Sequence, residues 1–343
     1  MLSTRVKSAT QSNVYIALAT TTSPYVYVYP WASNSFGAKY ADPSTLPTGG
    51  GTGVAFSPNG RAIAVTQLGS PAIAAYPWLG TSFGAKYADP ATIPTTNGND
   101  VTFSPNGNTI AVVHNLTPFV SAYPWSSSGF GPKAANPATL PTGGGNGLAF
   151  SPSGNAIAVA HSVTPFISVY PWTGTAFGTK AANPATLPTG TGQNVTFSPN
   201  GATIAIVHST SPFVSVYPWT GTAFGTKVAD PSTLPTGVGA DVVFSPNGNT
   251  IAISHLVSPY ISVYAWTGTA FGAKAANPTT LPTGTGNGVD FTPNGATIAV
   301  AHDTSPYVSA YPWTGTAFGT KYADPSTLPS GNANGISFGV RAS

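Results

Sequence analysis

Histidine recurs at a fixed interval in this sequence of 343 residues. Imidazole is a common metal ligand, and its ordinary pKa of about 6.5 makes it a pH sensor. Equivalent histidines on the second strands of neighbouring repeat units would lie on the order of 10 Å apart, too far to share a tetrahedral ion. We therefore expect hydrogen-bonded structural histidines, with a pH-sensitive rim as the alternative. The five histidines, 47 residues apart, are His114, His161, His208, His255 and His302.

Lysine and tryptophan follow the same interval of 47 residues. A ring of lysines could receive phosphate or an acidic sugar, but lysine near proline on an exposed strand also protects a sheet edge from pairing. Tryptophan could offer a stacking platform for sugars, although aromatic residues at repeated positions also form cores. The three tryptophans that we take as candidates for glycan stacking are Trp125, Trp172 and Trp219.

Carboxylates are few, and they are not arranged as a catalytic set. The chain has eight aspartates and no glutamate, and no Ser/His/Asp group is singled out by the repeat. Asp100, Asp241 and Asp290 could in principle meet a calcium ion, since that ion prefers oxygen ligands. We expect no catalytic residue, no metal and no cofactor, and therefore predict that the protein is not an enzyme.

The charge balance excludes several classes of function. The chain has eleven Lys and Arg residues and eight Asp residues, and only 6% of its residues are charged. Clustered basic residues supply most of the affinity for nucleic acid, so we expect no nucleic-acid partner. No apolar run approaches the length of a membrane span, and Met1 to Tyr15 lacks the apolar stretch of a secretory signal. The absence of cysteine excludes disulfides and thiolate chemistry.

The elements that must position these residues come from a repeat of 47 residues. Each unit contains four extended segments, typified by Val54–Phe56, Ile110–His114, Phe119–Tyr123 and Phe177–Lys180. The first ends in Ser-Pro-Asn-Gly, which favours a tight hairpin. The second is apolar on both faces, as expected of an interior strand. Pro or Gly interrupts nearly every window that could hold a helix, so the sequence predicts an all-β protein.

Four short strands in each of seven repeats predict a single seven-bladed β-propeller. The first copy lacks its innermost strand, and Gly335–Phe338 stands at the matching offset near the end of the chain. We expect the C-terminal strand to complete the N-terminal blade and close the ring. The predicted divisions are an arm over 1–12 and a propeller over 13–343, with blade 1 shared by 13–43 and 335–338.

The inner hairpin resembles a known family. Phe-Ser-Pro-Asn-Gly followed by Thr-Ile-Ala-Val, at Phe103 to Val112, is similar to the inner hairpin of WD40-like and YVTN-type propellers. The chain lacks the Gly-His and Trp-Asp signatures of WD40 blades. Near-identical copies rich in Thr, Gly and Asn are also similar to propellers encoded by tailed bacteriophages. The resemblance implies the fold, while such propellers serve as scaffolds, enzymes and lectins.

The seven copies differ most in the link that enters each inner strand and in the loop after the histidine position. Both connections should emerge on one face of a propeller, and loops on rigid scaffolds commonly carry binding. We therefore predict a partner-binding face there, with drift in tolerant loops as the alternative. Its candidate residues are Asp100, Asn194, Asp241, Asp290, Asp303 and Asn334.

These features favour a structural or binding function without catalysis. The leading hypothesis is a virion protein that decorates a capsid or tail, located on the virion and contacting other virion proteins or a cell-surface component. Arg5 and Lys7 would then belong to a partner-binding arm, with a frayed terminus as the alternative. A multivalent glycan-binding adhesin is the second hypothesis, and a protein-interaction scaffold the third, with an extracellular or cytoplasmic location.

Overall fold

The computed structural model describes residues 13–94 and 96–341, and within them the regular secondary structure is entirely β-strand. The all-β prediction is confirmed. No helix in the described part of the chain is long and apolar enough to cross a membrane. The predicted arm over 1–12, with Arg5 and Lys7, lies outside the described residues.

The strands form seven sheets, which we number along the chain from the sheet that contains the first strand, and neighbouring strands pair antiparallel. Sheet 1 contains β1 (Asn13–Thr20), β2 (Val26–Ala32), β3 (Ser35–Phe36) and β24 (Ala333–Arg341); sheet 2 contains β4 (Gly51–Phe56), β5 (Ala62–Gln67) and β6 (Ile73–Pro77); sheet 3 contains β7 (Gly98–Phe103), β8 (Thr109–His114), β9 (Val120–Ser126) and β10 (Gly129–Phe130). Sheet 4 contains β11 (Gly145–Phe150), β12 (Ala156–His161) and β13 (Ile167–Pro171); sheet 5 contains β14 (Gly192–Phe197), β15 (Thr203–His208) and β16 (Val214–Pro218); sheet 6 contains β17 (Gly239–Phe244), β18 (Thr250–His255), β19 (Ile261–Trp266) and β20 (Phe271–Lys274); sheet 7 contains β21 (Gly286–Phe291), β22 (Thr297–His302) and β23 (Val308–Pro312).

One strand of every sheet packs against its counterparts in two other sheets, and we call these strands the inner strands. In sheets 2 to 7 the inner strand is the first strand of the sheet, and it turns into the second strand through a tight hairpin. In sheet 2, Ser57 Oγ accepts the backbone N–H of Ala62 at 2.9 Å, and the φ of Gly60 is 63°. The hairpin residues predicted from the sequence therefore make the turn, because glycine adopts that conformation without strain.

The second strands form the core by alternating large and small side chains. In β5, Ile63 and Val65 pack in one cluster with sheet 1, while Ala62 and Ala64 pack in another with sheet 3. The large side chains of one sheet thus lie against the small side chains of the preceding sheet, which fills the space between them. Seven such clusters exist among the described residues, and one of them joins sheets 7 and 1.

The prediction of four strands in every unit is wrong for four of the seven sheets, which have three strands and an isolated outer bridge. In sheet 4 the predicted strand Phe177–Lys180 makes one bridge, between Phe177 and Trp172. Pro171 precedes Trp172 and has no N–H to donate to a ladder. Sheet 6 has Ala265 at that position, and only there among the described sheets does the outer strand reach four residues.

The last strand pairs with the first. β24 runs antiparallel to β1 from Asn13 opposite Arg341 to Thr20 opposite Ala333. It also packs against β21 of sheet 7 and β4 of sheet 2. The C-terminal segment therefore occupies the inner position of sheet 1, over a longer span than the predicted 335–338.

Candidate functional site

Every inner strand carries a β-bulge near its start. In β7 the register shifts between Gly98 and Asp100, which leaves Asn99 as the extra residue. A bulge breaks the alternation of a regular strand and redirects side chains, and bulges are common beside active sites. The redirected side chains line one cavity with a volume of about 430 Å³. The residues equivalent to Asn99 are Thr52, Asn146, Gln193, Ala240, Asn287 and Asn334.

Four of these bulge residues, Asn99, Asn146, Asn287 and Asn334, share one hydrogen bond, and we call them the amide ring. Each donates its Nδ2–H to the first carbonyl of the next inner strand, at 2.7, 2.8, 3.0 and 2.8 Å respectively. Because a carbonyl oxygen only accepts, this bond fixes the orientation of each amide. Among the described residues no donor reaches the four Oδ1 atoms, so the amide ring offers acceptors.

Glycine in neighbouring sheets makes room for the larger side chains of the cavity wall. A Cβ at Gly53 would lie 2.9 Å from Asp100 Oδ1, and a Cβ at Gly147 would collide with Asn194. Sheets 5 and 6 are adjacent and both carry a large residue at this position. These residues are Asn194 and Asp241, and Asn194 Nδ2 donates to Asp241 Oδ1 at 2.7 Å.

Asp100 and Asp241 are the carboxyl groups that line the cavity. Asp100 accepts the backbone N–H of Val101 at 2.8 Å and that of Leu148, in the next sheet, at 3.2 Å. Asp241 accepts the N–H of Val242 at 2.8 Å and that of Val289, in the next sheet, at 2.9 Å. Together with Asn194, these donors give Asp241 one more hydrogen bond than Asp100 has.

Burial raises the pKa of both carboxyl groups towards neutrality. Loss of solvation raises the pKa of Asp100 to about 7, against the lowering effect of the hydrogen bond from Leu148, and the charge of Asp241 raises it further. Loss of solvation raises the pKa of Asp241 to about 6, against the hydrogen bonds from Val289 and Val242. Two carboxyl groups with separated pKa values near 7 suit a base and an acid.

The structure brings together four of the six residues predicted for a binding face. Asp100, Asn194, Asp241 and Asn334 line the cavity, and Asn115, in the loop after β8, lines it too. The links and the loops that vary between copies therefore meet at one cavity. Whether a partner binds this face stays a prediction.

Asp290 and Asp303 lie elsewhere. Asp290 is two residues beyond Gly288 along β21 and is absent from the cavity lining; it accepts the N–H of Phe291 at 2.8 Å and that of Phe338 at 2.7 Å. Asp303 follows β22 and accepts the N–H of Thr285 at 2.9 Å. Burial raises the pKa of Asp290 to about 7, whereas hydrogen bonds from Thr285 lower that of Asp303 despite some desolvation.

The repeated histidines are buried and bonded on both ring nitrogens. Nδ1 of His114 lies 2.8 Å from the carbonyl of Leu116, and its Nε2 lies 3.0 Å from Ser121 Oγ. The carbonyl can only accept, so Nδ1 carries the proton and the serine hydroxyl donates to Nε2. Burial lowers the pKa of all five histidines to about 4, so they are neutral at pH 7.

The lysines and tryptophans also have partners in the protein. Lys39 pairs with Asp42, and the ammonium groups of the other repeat lysines likewise contact the Asp or Asn three residues later. Trp125, Trp172 and Trp219 are 8, 4 and 6% exposed and lie edge-on against phenylalanines of the outer segments. Glycan stacking on these tryptophans stays a prediction.

Calcium binding by the three aspartates has no support in the geometry. Across residues 13–94 and 96–341, no three His, Cys, Asp or Glu side chains lie close enough together to hold a metal ion. The cavity wall consists mainly of amides and glycines with two carboxyl groups, and it also includes Thr52, Val54, Ala240 and Ile336.

The sequence analysis named Asn334 but missed Asn99, Asn146 and Asn287, the other members of the amide ring. Its signal was an amide residue directly before the position of Asp100 and Asp241, in five of the seven copies. In a regular strand two consecutive side chains point to opposite faces, so Asn99 and Asp100 would not share a cavity. The bulge places both on the cavity wall.

Comparison with solved structures decides the fold. A structure from Bacteroides uniformis described as a "putative 6-phosphogluconolactonase" matches with a TM-score of 0.74 and 16% identity, covering 96% of this chain and 100% of that chain. The periplasmic gluconolactonase of Pseudomonas aeruginosa matches with a TM-score of 0.70 and 14% identity, covering 96% and 100%. The chain has a β-propeller fold. No family model and no curated protein matches it.

The comparison overturns the predicted function. The solved structures that share this propeller fold include bacterial proteins named for lactonase activity, one of them periplasmic. The prediction of a non-enzymatic structural or binding propeller is therefore wrong, as are the virion, capsid and tail assignments and the virion location. The WD40-like and YVTN-type resemblance is confirmed only as far as the β-propeller fold.

Proposed function

We propose that the protein hydrolyses a lactone, a cyclic ester of a hydroxy acid, in the cavity lined by the inner strands. The observation that carries the proposal is the pair of carboxyl groups, Asp100 and Asp241, on the wall of one polar cavity. Their pKa values are raised to about 7 and about 6. Two structures that share the fold are named as lactonases, which supports the same chemistry.

The two carboxyl groups have complementary roles. Between pH 6 and 7, Asp241 is the ionised group, because three hydrogen-bond donors stabilise its charge. It takes a proton from water, and the resulting hydroxide adds to the lactone carbonyl carbon. The tetrahedral intermediate collapses by breaking the ring C–O bond, and Asp100 gives its proton to the departing alkoxide. Proton transfer from Asp241 to Asp100 through solvent restores the starting state.

The amide ring positions the substrate in this proposal. Its four Oδ1 atoms are acceptors, and hydroxyl groups on a sugar-derived lactone are donors. Because each amide is fixed by a bond to the neighbouring sheet, the acceptors are held in place before the substrate binds. Such preorganisation lowers the entropy cost of orienting the ester against Asp241.

We propose further that the seven sheets are the seven blades of one closed ring of the YVTN type. Asn334 near the C-terminus donates to Gly51 in sheet 2, the same bond that Asn99 makes to Gly145. A cluster of the same kind joins sheets 7 and 1. Closure holds the carboxyl groups of sheets 3 and 6 across one cavity.

Hydrolysis of glucono-δ-lactone, followed by acid release and corrected for the spontaneous reaction, tests the proposal. We expect Asp241→Asn to lower kcat by about 10²- to 10⁴-fold, because an amide cannot take the proton. Asp100→Asn should also lower kcat, through loss of the acid. Asn194 already holds an amide at the equivalent position of sheet 5, so the substitutions fit the fold.

Asp290→Asn is the matched control. Asp290 makes the same two kinds of backbone hydrogen bond as Asp100 but does not line the cavity. Its substitution should leave kcat within a factor of about two while costing similar stability. Equal losses in Asp290→Asn and Asp241→Asn would assign these aspartates to structure alone, and absence of hydrolysis by the unmodified protein would refute the proposed function.

A further inference from the structure

The cavity presents acceptors and negative charge, with no compensating cation. Its lining contains the carboxyl groups of Asp100 and Asp241 and the amide ring, and within the described residues it contains no Lys, Arg or His. Each side chain of the amide ring already donates one N–H to a backbone carbonyl of a neighbouring sheet, which holds its Oδ1 in place as an acceptor. A ligand that supplies hydrogen-bond donors therefore fits the carboxyl groups and the Oδ1 atoms of this wall.

A phosphate ester fits this wall badly. Phosphate oxygens are acceptors that carry one to two negative charges, so they are repelled by carboxylates and by the amide oxygens. Sites that bind phosphate present Arg, Lys or free backbone N–H groups. The N–H groups of Val101, Leu148 and Val289 point to the aspartates and are not free.

We infer that the site selects an uncharged, hydroxyl-rich lactone and excludes the phosphorylated form of the same lactone. The inference rests on the proposed lactonase function, and it separates this chain from the structures that are named for a phosphorylated substrate. Hydroxyl groups of the ligand donate to the amide ring, and the absence of a cation makes a phosphate group costly.

Position 193 makes the inference testable by gain of affinity. Gln193 lines the cavity at the bulge of β14, and none of the hydrogen bonds among the described residues uses its side chain. Gln193→Lys therefore adds a cation to the wall without removing a bond that joins two sheets. Thr175→Lys adds the same charge at an exposed turn outside the cavity lining, and serves as the control.

Calorimetry with two stable analogues, gluconolactam and its 6-phosphate, measures the preference. For the unmodified protein we expect the 6-phosphate to bind at least about tenfold more weakly than the uncharged analogue. Gln193→Lys should tighten binding of the 6-phosphate by about tenfold or more, whereas Thr175→Lys should leave both affinities unchanged.

Three results would overturn the inference. They are equal or tighter binding of the 6-phosphate by the unmodified protein, failure of the uncharged analogue to bind, and the same response in Gln193→Lys and Thr175→Lys. The two hypotheses fail separately. A protein that binds as expected without hydrolysing any lactone loses the proposed function, and one that hydrolyses both lactones equally loses the inferred selectivity.

Discussion

The titrating residues of this propeller oppose each other in their effect on stability. Burial lowers the pKa of the five histidines to about 4 from an ordinary value of 6.5. Between these values the unfolded chain binds protons that the folded chain does not, so the histidines make stability fall as pH falls. Asp100, Asp241 and Asp290 have raised pKa values, and the folded chain holds their protons in the same range. They make stability rise as pH falls.

The histidines outnumber the aspartates, so we expect the free energy of unfolding to rise with pH between about 4.5 and 6. In this range the unfolded chain binds about five more protons on the histidines, and the folded chain binds about three more on the aspartates. The net difference is about two protons, and each proton changes the free energy of unfolding by about 1.4 kcal/mol per pH unit. Urea unfolding followed by tryptophan fluorescence at several pH values measures this slope. A flat or falling stability over the range would contradict the assignment of neutral buried histidines.

His161→Gln is the variant matched to this measurement. Gln67 occupies the equivalent position in sheet 2, where its amide bonds to Thr48, so glutamine fits the site. The variant should stay folded at pH 7, and its slope should fall by about one proton because one histidine no longer titrates.

At the scale of the strand, the sequence predicted the elements whose geometry is local. The hairpin at Ser57 to Gly60 follows from its turn residues, and the alternation in β5 follows from burial on both faces. The outer strands were overpredicted. Proline occupies the position of Pro171 in six of the seven copies, and only the copy with Ala265 there forms an outer strand of four residues, so the sequence offered one exception from which to recognise the effect of proline on the ladder. The cavity residues were predicted in part. Asp100 and Asp241 were named from the sequence, but Asn99 was not, because the bulge that places it on the cavity wall breaks the two-residue periodicity on which strand prediction depends.

The C-terminal strand offers a prediction at this scale. We expect a chain that ends at residue 332 to lose cooperative unfolding and to self-associate, because removal of β24 exposes the edge of β1 and the apolar faces of sheets 7 and 2. A synthetic peptide of residues 333–343 should restore the melting transition. Circular dichroism and sedimentation measure both effects.

A peptide with Gly339→Leu is the control for this experiment. A side chain at position 339 would collide with the ring of Phe56 in sheet 2, so this peptide should not restore the transition. Full stability of the truncated chain without any peptide would show that β24 is dispensable.

For the whole molecule, stability depends on contacts between sheets that are nearly equivalent. Each of the seven apolar clusters joins two sheets. The bonds of the amide ring do the same, as do the hydrogen bonds that Asp100, Asp241 and Asp290 accept from the next sheet. If the sheets form a closed ring, no sheet is special as a beginning or an end. The chain termini can then be moved to another sheet without loss of the fold, provided that the strands still pair.

A circular permutant tests this property. Asn13 and Arg341 are paired across β1 and β24, so a linker of about two residues, Asn-Gly, can join them as a hairpin. New termini between Gly174 and Thr175 open an exposed turn where an added Cβ at Gly174 would meet no other atom within 4 Å. We expect this permutant to melt within about 5 °C of the original chain, since it loses few contacts.

A permutant opened inside β12, between Ala158 and Val159, is the control and should not fold, because those residues are fully buried in the core. If the permutant opened between Gly174 and Thr175 also failed to fold, the result would argue against a closed ring.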